Sequence, residues 1–140
     1  MQWQELQKKF SKILKLENSV KLIGNVDNPL KYFSRADIFA LSSIVEGLPN
    51  ALVEAMMCGC AVVAVANEGV QEYITHNESG FLSPIGNVDA MIKNIQYLLD
   101  NPGERVRIAE TGHERINKFS WEKSAKQLEK ILIQPKCKSL

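Results

Sequence analysis

The sequence predicts the α/β fold class, with a parallel sheet and helices on both of its faces. Short apolar segments typical of strands alternate along the chain with longer segments of helical periodicity, and this alternation is characteristic of parallel sheets. The near-continuous apolar run over residues 61–66 suits a strand that is buried on both faces. Glycine, proline and asparagine mark the ends of these segments.

The first predicted elements are a helix and a strand. Apolar residues recur at helical spacing over residues 3–16, with lysines on the opposite side, which predicts an amphipathic surface helix. A short strand is predicted over residues 20–23, and it ends at Gly24. The elements that follow are a helix over 29–36, a strand over 37–42, a helix over 49–58, a strand over 61–66, a helix over 69–75 and a strand over 80–83.

Three further helices are predicted after the last strand. Asn87 can cap the first of them, and Pro102 suits the first turn of the second, which runs to about residue 118. Ser120 can cap the third, and the tail over residues 134–140 is expected to fray. The 140 residues show no internal repeat or linker, so we expect one domain.

The composition excludes several classes of protein. The formal net charge is +1, which gives no sign of a nucleic-acid-binding surface. No apolar run approaches the roughly 20 residues that a membrane-spanning helix needs. The first ten residues lack the apolar core of a signal peptide. We therefore expect a cytoplasmic location.

The cysteines and histidines do not indicate a metal or redox site. Cys58 and Cys60 lie in apolar surroundings with no histidine nearby, and Cys137 lies far along the chain. We interpret the cysteines as small buried hydrophobic side chains. We interpret His76, in a polar loop, and His113, among charged residues, as solvated.

Three predicted loops leave the carboxyl ends of the strands, over residues 24–28, 42–50 and 67–70. Ligands of parallel sheets bind outside these ends. Two of the loops lead directly into helices, near residues 48–51 and 69–70, and a helix start presents N–H groups and a positive dipole end that favour phosphate. These loops therefore suit a diphosphate.

Two carboxylates are candidates for binding the rest of a polar ligand. Glu46 lies in the second loop, and Glu54 lies in an otherwise apolar helix, where it needs partners to offset its lost solvation. Carboxylates accept hydrogen bonds from neighbouring hydroxyls, so both suit the diols of a sugar or a ribose. Phosphate and diol recognition together predict a nucleotide sugar.

Simpler interpretations remain open at each position. A glycine at a helix start is more often part of a turn than an anion site. Glu46 alone also fits an exposed loop acid. Glu54 fits either a functional role or a buried salt bridge, because its sequence neighbours provide little polar surface.

A series of motifs in fixed order resembles a known enzyme family. The strings are VKLIGNV, ADIFALSSIVEGLPNALVEAMMCGCAVVAV, EGVQEYI, NESGFLSP and FSW. They are similar to the second half of family 4 glycosyltransferases, which are retaining enzymes of the GT-B fold that use nucleotide sugars. The resemblance covers about residues 4–133, and its most specific mark is the E-x(7)-E spacing of Glu46 and Glu54. It implies a Rossmann-like sheet and a role in polysaccharide or glycolipid assembly.

The resemblance also implies a role for each matching residue. Glu46 would be the catalytic residue, lying against the transferred sugar to orient its hydroxyls or stabilise oxocarbenium-like charge. Glu54 would hold the ribose hydroxyls. The other donor-binding positions would be Gly47, Leu48 and Asn50 at the sugar, the backbone N–H groups of Gly69 and Val70 at the diphosphate, and Asn25 and Val26 at the base. No metal ion and no cofactor are implied, because the nucleotide sugar is the substrate.

The chain departs from the family in one loop and in length. The family's G-G-x-P-E loop reads EGVQE over residues 68–72, so Glu68 replaces the first glycine. The resemblance implies that a whole N-terminal domain is missing, with two strands and a basic pair for the diphosphate. In the usual strand order those strands lie between residues 20–23 and 37–42, and their loss would leave a gap about 10 Å wide.

We therefore expect residues 1–140 to be a partial C-terminal, nucleotide-sugar-binding domain that is inactive alone. It would be a piece of a split enzyme, a truncated gene product or an excised fragment. A separate chain would supply the acceptor-binding half and any attachment to the inner membrane face. The alternative is a non-catalytic module that binds a nucleotide sugar or a partner chain.

Two other classes of α/β protein fit poorly. A flavodoxin-like signalling domain needs a phospho-acceptor aspartate at the end of an early strand, whereas Asp37 begins one. A dinucleotide-binding oxidoreductase needs a G-x-G-x-x-G motif after a strand, and this sequence has none.

Overall fold

The computed structural model describes residues 2–119, with side chains from residue 5 onward. Six helices and three strands lie in this part of the chain. In order they are α1 (Gln2–Ile13), α2 (Leu30–Phe33), β1 (Ile38–Leu41), α3 (Asn50–Met57), β2 (Ala61–Val65), α4 (Glu68–Gln71), β3 (Phe81–Ser83), α5 (Val88–Asp100) and α6 (Pro102–Ile116).

The three strands form one parallel sheet in the order β1-β2-β3. Ile38 of β1 pairs with Ala61, and Val63 pairs with Phe81 of β3. All five residues of the central strand β2 are buried, as expected for a strand with a neighbour on each edge and helices on both faces. The predicted parallel α/β fold is therefore confirmed.

Successive side chains of β2 point to opposite faces of the sheet and so divide the core in two. On one face, Val62 and Ala64 pack with Leu52, Ala55 and Met56 of α3 and Val70 of α4. On the other face, Ala61 and Val63 pack with Phe81 of β3, Leu98 of α5 and Ile108 of α6. These contacts hold α3 and α4 against one face of the sheet.

The predicted strand over residues 20–23 does not form. The Val20 N–H donates to the Leu16 carbonyl. Within residues 2–119, no backbone hydrogen bond involves residues 21–28. A strand is stable only when a neighbour supplies the other half of its hydrogen-bond ladder. The apolar sequence is present there, but no strand within residues 2–119 pairs with it.

Helix α1 forms near the predicted position and leaves its apolar side uncovered. Phe10, Ile13 and Leu14 are each more than half exposed. The helix stops at Ile13, and Lys15 just beyond it adopts a left-handed conformation with φ of 55°. The prediction of an amphipathic surface helix is confirmed, and α1 takes no part in the core around β2.

The helices after β3 also follow the prediction. The Asn87 side chain caps α5, its Oδ1 accepting from the Ala90 N–H at 2.9 Å, and Pro102 lies in the first turn of α6. The helix predicted to begin after Ser120 and the tail over residues 134–140 lie outside the described residues.

The packing around β2 gives a direct test of the core. Leu98 is fully buried, whereas its neighbour Leu99 is about half exposed on the same helix. Leu98→Ala is expected to lower the free energy of unfolding by about 2–5 kcal/mol, because it leaves a cavity in the core. Leu99→Ala should change it by no more than about 0.5 kcal/mol. Urea unfolding measures both, and equal losses would contradict the packing described.

Candidate functional site

A cleft of about 270 Å³ opens at the carboxyl ends of the three strands. Each strand contributes the segment that follows it, so three loops meet there. The lining residues are Ile44, Val45 and Glu46 after β1, Ala66, Asn67, Glu68 and Gln71 after β2, and Ile85 after β3. Parallel sheets bind their ligands at this end, and the cleft contains the predicted residue Glu46.

Glu46 lies in the loop between β1 and α3, as predicted, and is half-buried. Pro49 precedes α3, and no side chain caps the first turn of that helix. The start of α3, with the positive end of its helix dipole, therefore follows Glu46 closely in the sequence. The predicted neighbours Gly47, Leu48 and Asn50 lie exposed on this loop and at the start of the helix.

Helix α4 packs against the backbone of the Glu46 loop through Gly69. A Cβ atom at residue 69 would collide with the Glu46 carbonyl oxygen and lie 3.1 Å from the Gly47 carbonyl oxygen. Only glycine permits so close an approach of two backbone segments. Gly69 therefore serves the packing of the protein itself, and the predicted contact of its N–H with a diphosphate stays a prediction.

Val70 does not offer a free backbone N–H. Its N–H donates to the Oδ1 atom of Asn67 at 3.0 Å, and its side chain is fully buried. The prediction that this N–H binds a diphosphate is therefore wrong for this arrangement. The physical reason is that Asn67 is the N-cap of α4 and already satisfies the group.

Asn67 is a site residue that the sequence prediction missed. It lines the cleft, is only 5% exposed, and its Nδ2 atom donates to the Ser43 carbonyl oxygen at 2.9 Å. The signal in the sequence is an asparagine two residues before the predicted helix, close to the position typical of an N-cap. The hydrogen bond to Ser43 joins two distant loops, so no local pattern could have predicted it.

Glu54 does not line this cleft. The buried side of α3 consists of Leu52, Ala55 and Met56, and Glu54 is only half-buried beside them. Neither of the ion pairs found within the described residues includes it. The buried salt bridge left open for Glu54 is therefore not found in the described part of the chain, because the core side chains already occupy the inward side of the helix. Its contact with a ribose stays a prediction.

Asn25 and Val26 also lie away from the Glu46 cleft. They belong to the segment before α2, and Asn25 lines a different cleft that includes Lys8 of α1. The structure thus brings the residues after β1 and β2 together but does not bring the predicted base-binding residues to them. Their contact with a base stays a prediction.

The Glu46 cleft is acidic. Glu46 and Glu68 both line it, and none of its lining residues is basic. Glu68 is exposed, so solvent and salt screen its charge. The cleft as it stands suits hydroxyl donors or developing positive charge better than it suits phosphate.

The cysteines are partly as predicted. Cys60 is buried, and burial, with smaller contributions from Cys58 and Asp37, raises the pKa of its thiol to about 11. Its Sγ atom donates to the Phe33 carbonyl oxygen at 3.1 Å. Cys58 is only half-buried, because it ends α3 instead of entering β2. Cys137 lies outside the described residues.

The two histidines differ from each other. His76 is exposed, as predicted, but His113 is half-buried and its Nδ1 atom lies 3.3 Å from the Met56 carbonyl oxygen. The prediction of a solvated His113 is therefore wrong, because α6 packs against the end of α3. Across the described residues, no three histidine, cysteine, aspartate or glutamate side chains converge in a metal-binding arrangement.

Comparison with known proteins places this fold and cleft in a family. The family model for glycosyl transferases group 1 matches residues 2–115. The N-acetylgalactosamine-N,N'-diacetylbacillosaminyl-diphospho-undecaprenol 4-alpha-N-acetylgalactosaminyltransferase of Campylobacter jejuni is 32% identical over 123 residues, covering 87% of this chain and 34% of that protein. The chain spans about a third of the length of the curated relatives it matches.

Two solved structures show the same arrangement. HepE of Anabaena in complex with UDP superposes with a TM-score of 0.82 at 28% identity, over 92% of this chain and 36% of HepE. Sucrose-phosphate synthase of Thermosynechococcus elongatus superposes with a TM-score of 0.81 at 28% identity, over 91% of this chain and 33% of the synthase.

The chain therefore belongs to the glycosyl transferases group 1 family. Its parallel sheet with flanking helices corresponds to part of the GT-B fold of these structural neighbours. Within residues 2–119, no helix combines the length and the apolar character needed to cross a membrane.

The contact at Gly69 can be tested with a matched pair of substitutions. Gly69→Ala forces a methyl group onto the Glu46 carbonyl oxygen, whereas a Cβ at Gly47 meets nothing within 4 Å. Gly69→Ala is expected to lower the free energy of unfolding by about 1–3 kcal/mol, as overpacking does. Gly47→Ala should leave it within about 0.5 kcal/mol. Thermal unfolding of both variants is the measurement, and a tolerated Gly69→Ala would refute the contact.

Proposed function

We propose that this chain is the donor-binding part of a retaining, family 4 glycosyltransferase. The whole enzyme would transfer a hexosyl group from a nucleotide sugar to a glycan or lipid acceptor. The observation that carries the proposal is Glu46, half-buried in the cleft where the carboxyl ends of the strands meet. HepE, which the chain resembles, has been solved with UDP and with UDP-glucose, and this supports a nucleotide sugar as the ligand.

Glu46 is the catalytic residue of the proposal. Transfer of a sugar passes through a transition state in which the ring carries oxocarbenium-like positive charge. A carboxylate already in position stabilises that charge more than it stabilises the neutral sugar, and this difference lowers the barrier. Glu68 also lines the cleft, but solvent screens its charge, so it adds little to the effect. The acidic cleft thus supports a role at the sugar.

Glu54 holds the ribose in this proposal. Glu54 lies on α3 outside the sugar cleft, and the ribose of a nucleotide sugar lies beyond the diphosphate from the transferred sugar. Glu54 remains partly exposed, so its carboxylate is accessible to the two ribose hydroxyls. Gly47, Leu48 and Asn50 would contact the sugar, Gly69 the diphosphate, and Asn25 and Val26 the base.

A second polypeptide segment completes the proposed enzyme. The chain spans about a third of its curated relatives, and no basic residue lines the cleft to neutralise a diphosphate. We propose that a separate chain supplies the acceptor-binding half, cationic groups for the phosphates and any attachment to the inner membrane face. In this proposal the chain lies in the cytoplasm and binds the donor without a metal ion. Alone, it would transfer no sugar.

A non-catalytic module that binds a nucleotide sugar is the second candidate. The same cleft supports it, because a module can bind the donor through Glu54 and the loops without transferring the sugar. The two candidates differ in whether another polypeptide provides the acceptor side. A neighbouring reading frame that encodes an acceptor-binding domain, and transfer when the two chains are mixed, would favour the enzyme.

Calorimetric titration of the folded chain with UDP and UDP-glucose, each with and without EDTA, tests the proposed roles. Glu54→Ala is expected to weaken both ligands about tenfold or more, because it removes hydrogen bonds to a charged group worth roughly 1.5–3 kcal/mol. Glu46→Gln should weaken UDP-glucose but not UDP. Glu110→Ala, at an exposed position of α6, is the control and should change neither.

Several outcomes would contradict this account. Saturable binding that survives Glu54→Ala would place the nucleotide elsewhere. A folded chain that binds none of the common nucleoside diphosphates or their sugars would contradict donor binding altogether. Sugar transfer by the purified chain alone would contradict the need for a second half.

A further inference from the structure

We propose that Asn67 is a positioning residue that holds Glu46 in place at the cleft, and this inference rests on the proposed function of that cleft. The amide of Asn67 uses both of its ends. Its Nδ2 atom donates to the Ser43 carbonyl oxygen at 2.9 Å, and its Oδ1 atom accepts from the Val70 N–H at 3.0 Å. The residue is 5% exposed, so water competes little for either hydrogen bond.

The hydrogen bond to Ser43 joins the segments on either side of the cleft, and the one from Val70 holds the Asn67 side chain to α4. Ser43 lies near the start of the loop that carries Glu46, and Asn67 immediately precedes α4. The same loop touches α4 a second time, where the Glu46 carbonyl oxygen lies against Gly69. With both attachments in place, the backbone on both sides of residue 46 is fixed relative to β2.

The position of the Glu46 carboxylate depends on this backbone. Among the described residues, neither ion pair includes Glu46, and no side-chain hydrogen bond holds it. A side chain without hydrogen bonds of its own is aimed by its backbone, its rotamer preference and the packing around it. Asn67 therefore acts on the donor sugar through the loop and does not need to touch the sugar itself.

A helix cap alone does not account for Asn67. Asn87 caps α5 with the same geometry, its Oδ1 accepting from the Ala90 N–H at 2.9 Å, yet Asn87 is exposed. Serine caps helices about as well as asparagine. Its side chain is one atom shorter, so a serine that caps α4 cannot also reach the Ser43 carbonyl oxygen. The buried second hydrogen bond is the feature that the cap does not require.

The experiment compares Asn67→Ser with Asn87→Ser in the full chain. Both variants keep a helix-capping residue, and only the first loses the hydrogen bond to Ser43. In Asn67→Ser, the backbone NMR order parameters of residues 43–48 are expected to fall, because the loop loses its attachment to Asn67, while those of β2 and α5 stay unchanged. The ratio of the UDP to the UDP-glucose dissociation constant is expected to fall about fivefold, the size of one net hydrogen bond, and UDP binding itself should change little.

Asn67→Asp provides a second route if the serine variant does not fold. It keeps the shape and the cap but replaces the donor to Ser43 with a carboxylate oxygen, so the order parameters of the loop should fall again. Unchanged loop order parameters in either folded variant would overturn the positioning role, as would an equal fall in Asn87→Ser. Lower loop order parameters in a protein that binds neither UDP nor UDP-glucose would support the attachment to Ser43 and instead refute the proposed donor function.

Discussion

A single buried strand, paired in parallel on both edges, constrains the arrangement of this chain. Because β2 has no exposed residue, helices must cover both of its faces. On one face lie α3, α4 and Ile116 at the end of α6, and on the other lie α5 and the rest of α6. Parallel pairing places the carboxyl ends of all three strands together. Glu46 after β1 and Asn67 after β2 therefore meet in one cleft although they are far apart in sequence.

Local signals were sufficient to predict most of the elements around β2. Hydrophobic period, capping asparagines and helix-starting prolines act within a few residues, so they can be read directly from the chain. The prediction of a strand over residues 20–23 is wrong, because a strand is stable only beside a neighbouring strand. No local signal in the sequence shows whether that neighbour exists. Glu54 is only half-buried in spite of its apolar sequence neighbours, because such neighbours do not all face inward on a helix.

The same limit applies to the site. Glu46 was predicted in the correct loop, from its motif and its place after a strand. The occupied N–H of Val70 and the attachment of Asn67 to Ser43 both depend on contacts between two loops, which only the folded chain reveals. The acidic cleft is also a property of the assembled structure. It provides no positive charge that could neutralise a phosphate.

The central claim is that a nucleotide sugar binds where Glu46, Asn67 and α4 meet. The most direct test is to map amide chemical shifts of the folded, isotope-labelled chain on addition of UDP-glucose. If a nucleotide sugar binds there, the largest changes will lie in residues 43–50, 66–71 and 85, with little change near His113 at the opposite end of α3. Saturable changes confined to the surface around Cys58 and His113, with none in the Glu46 loop, would contradict it.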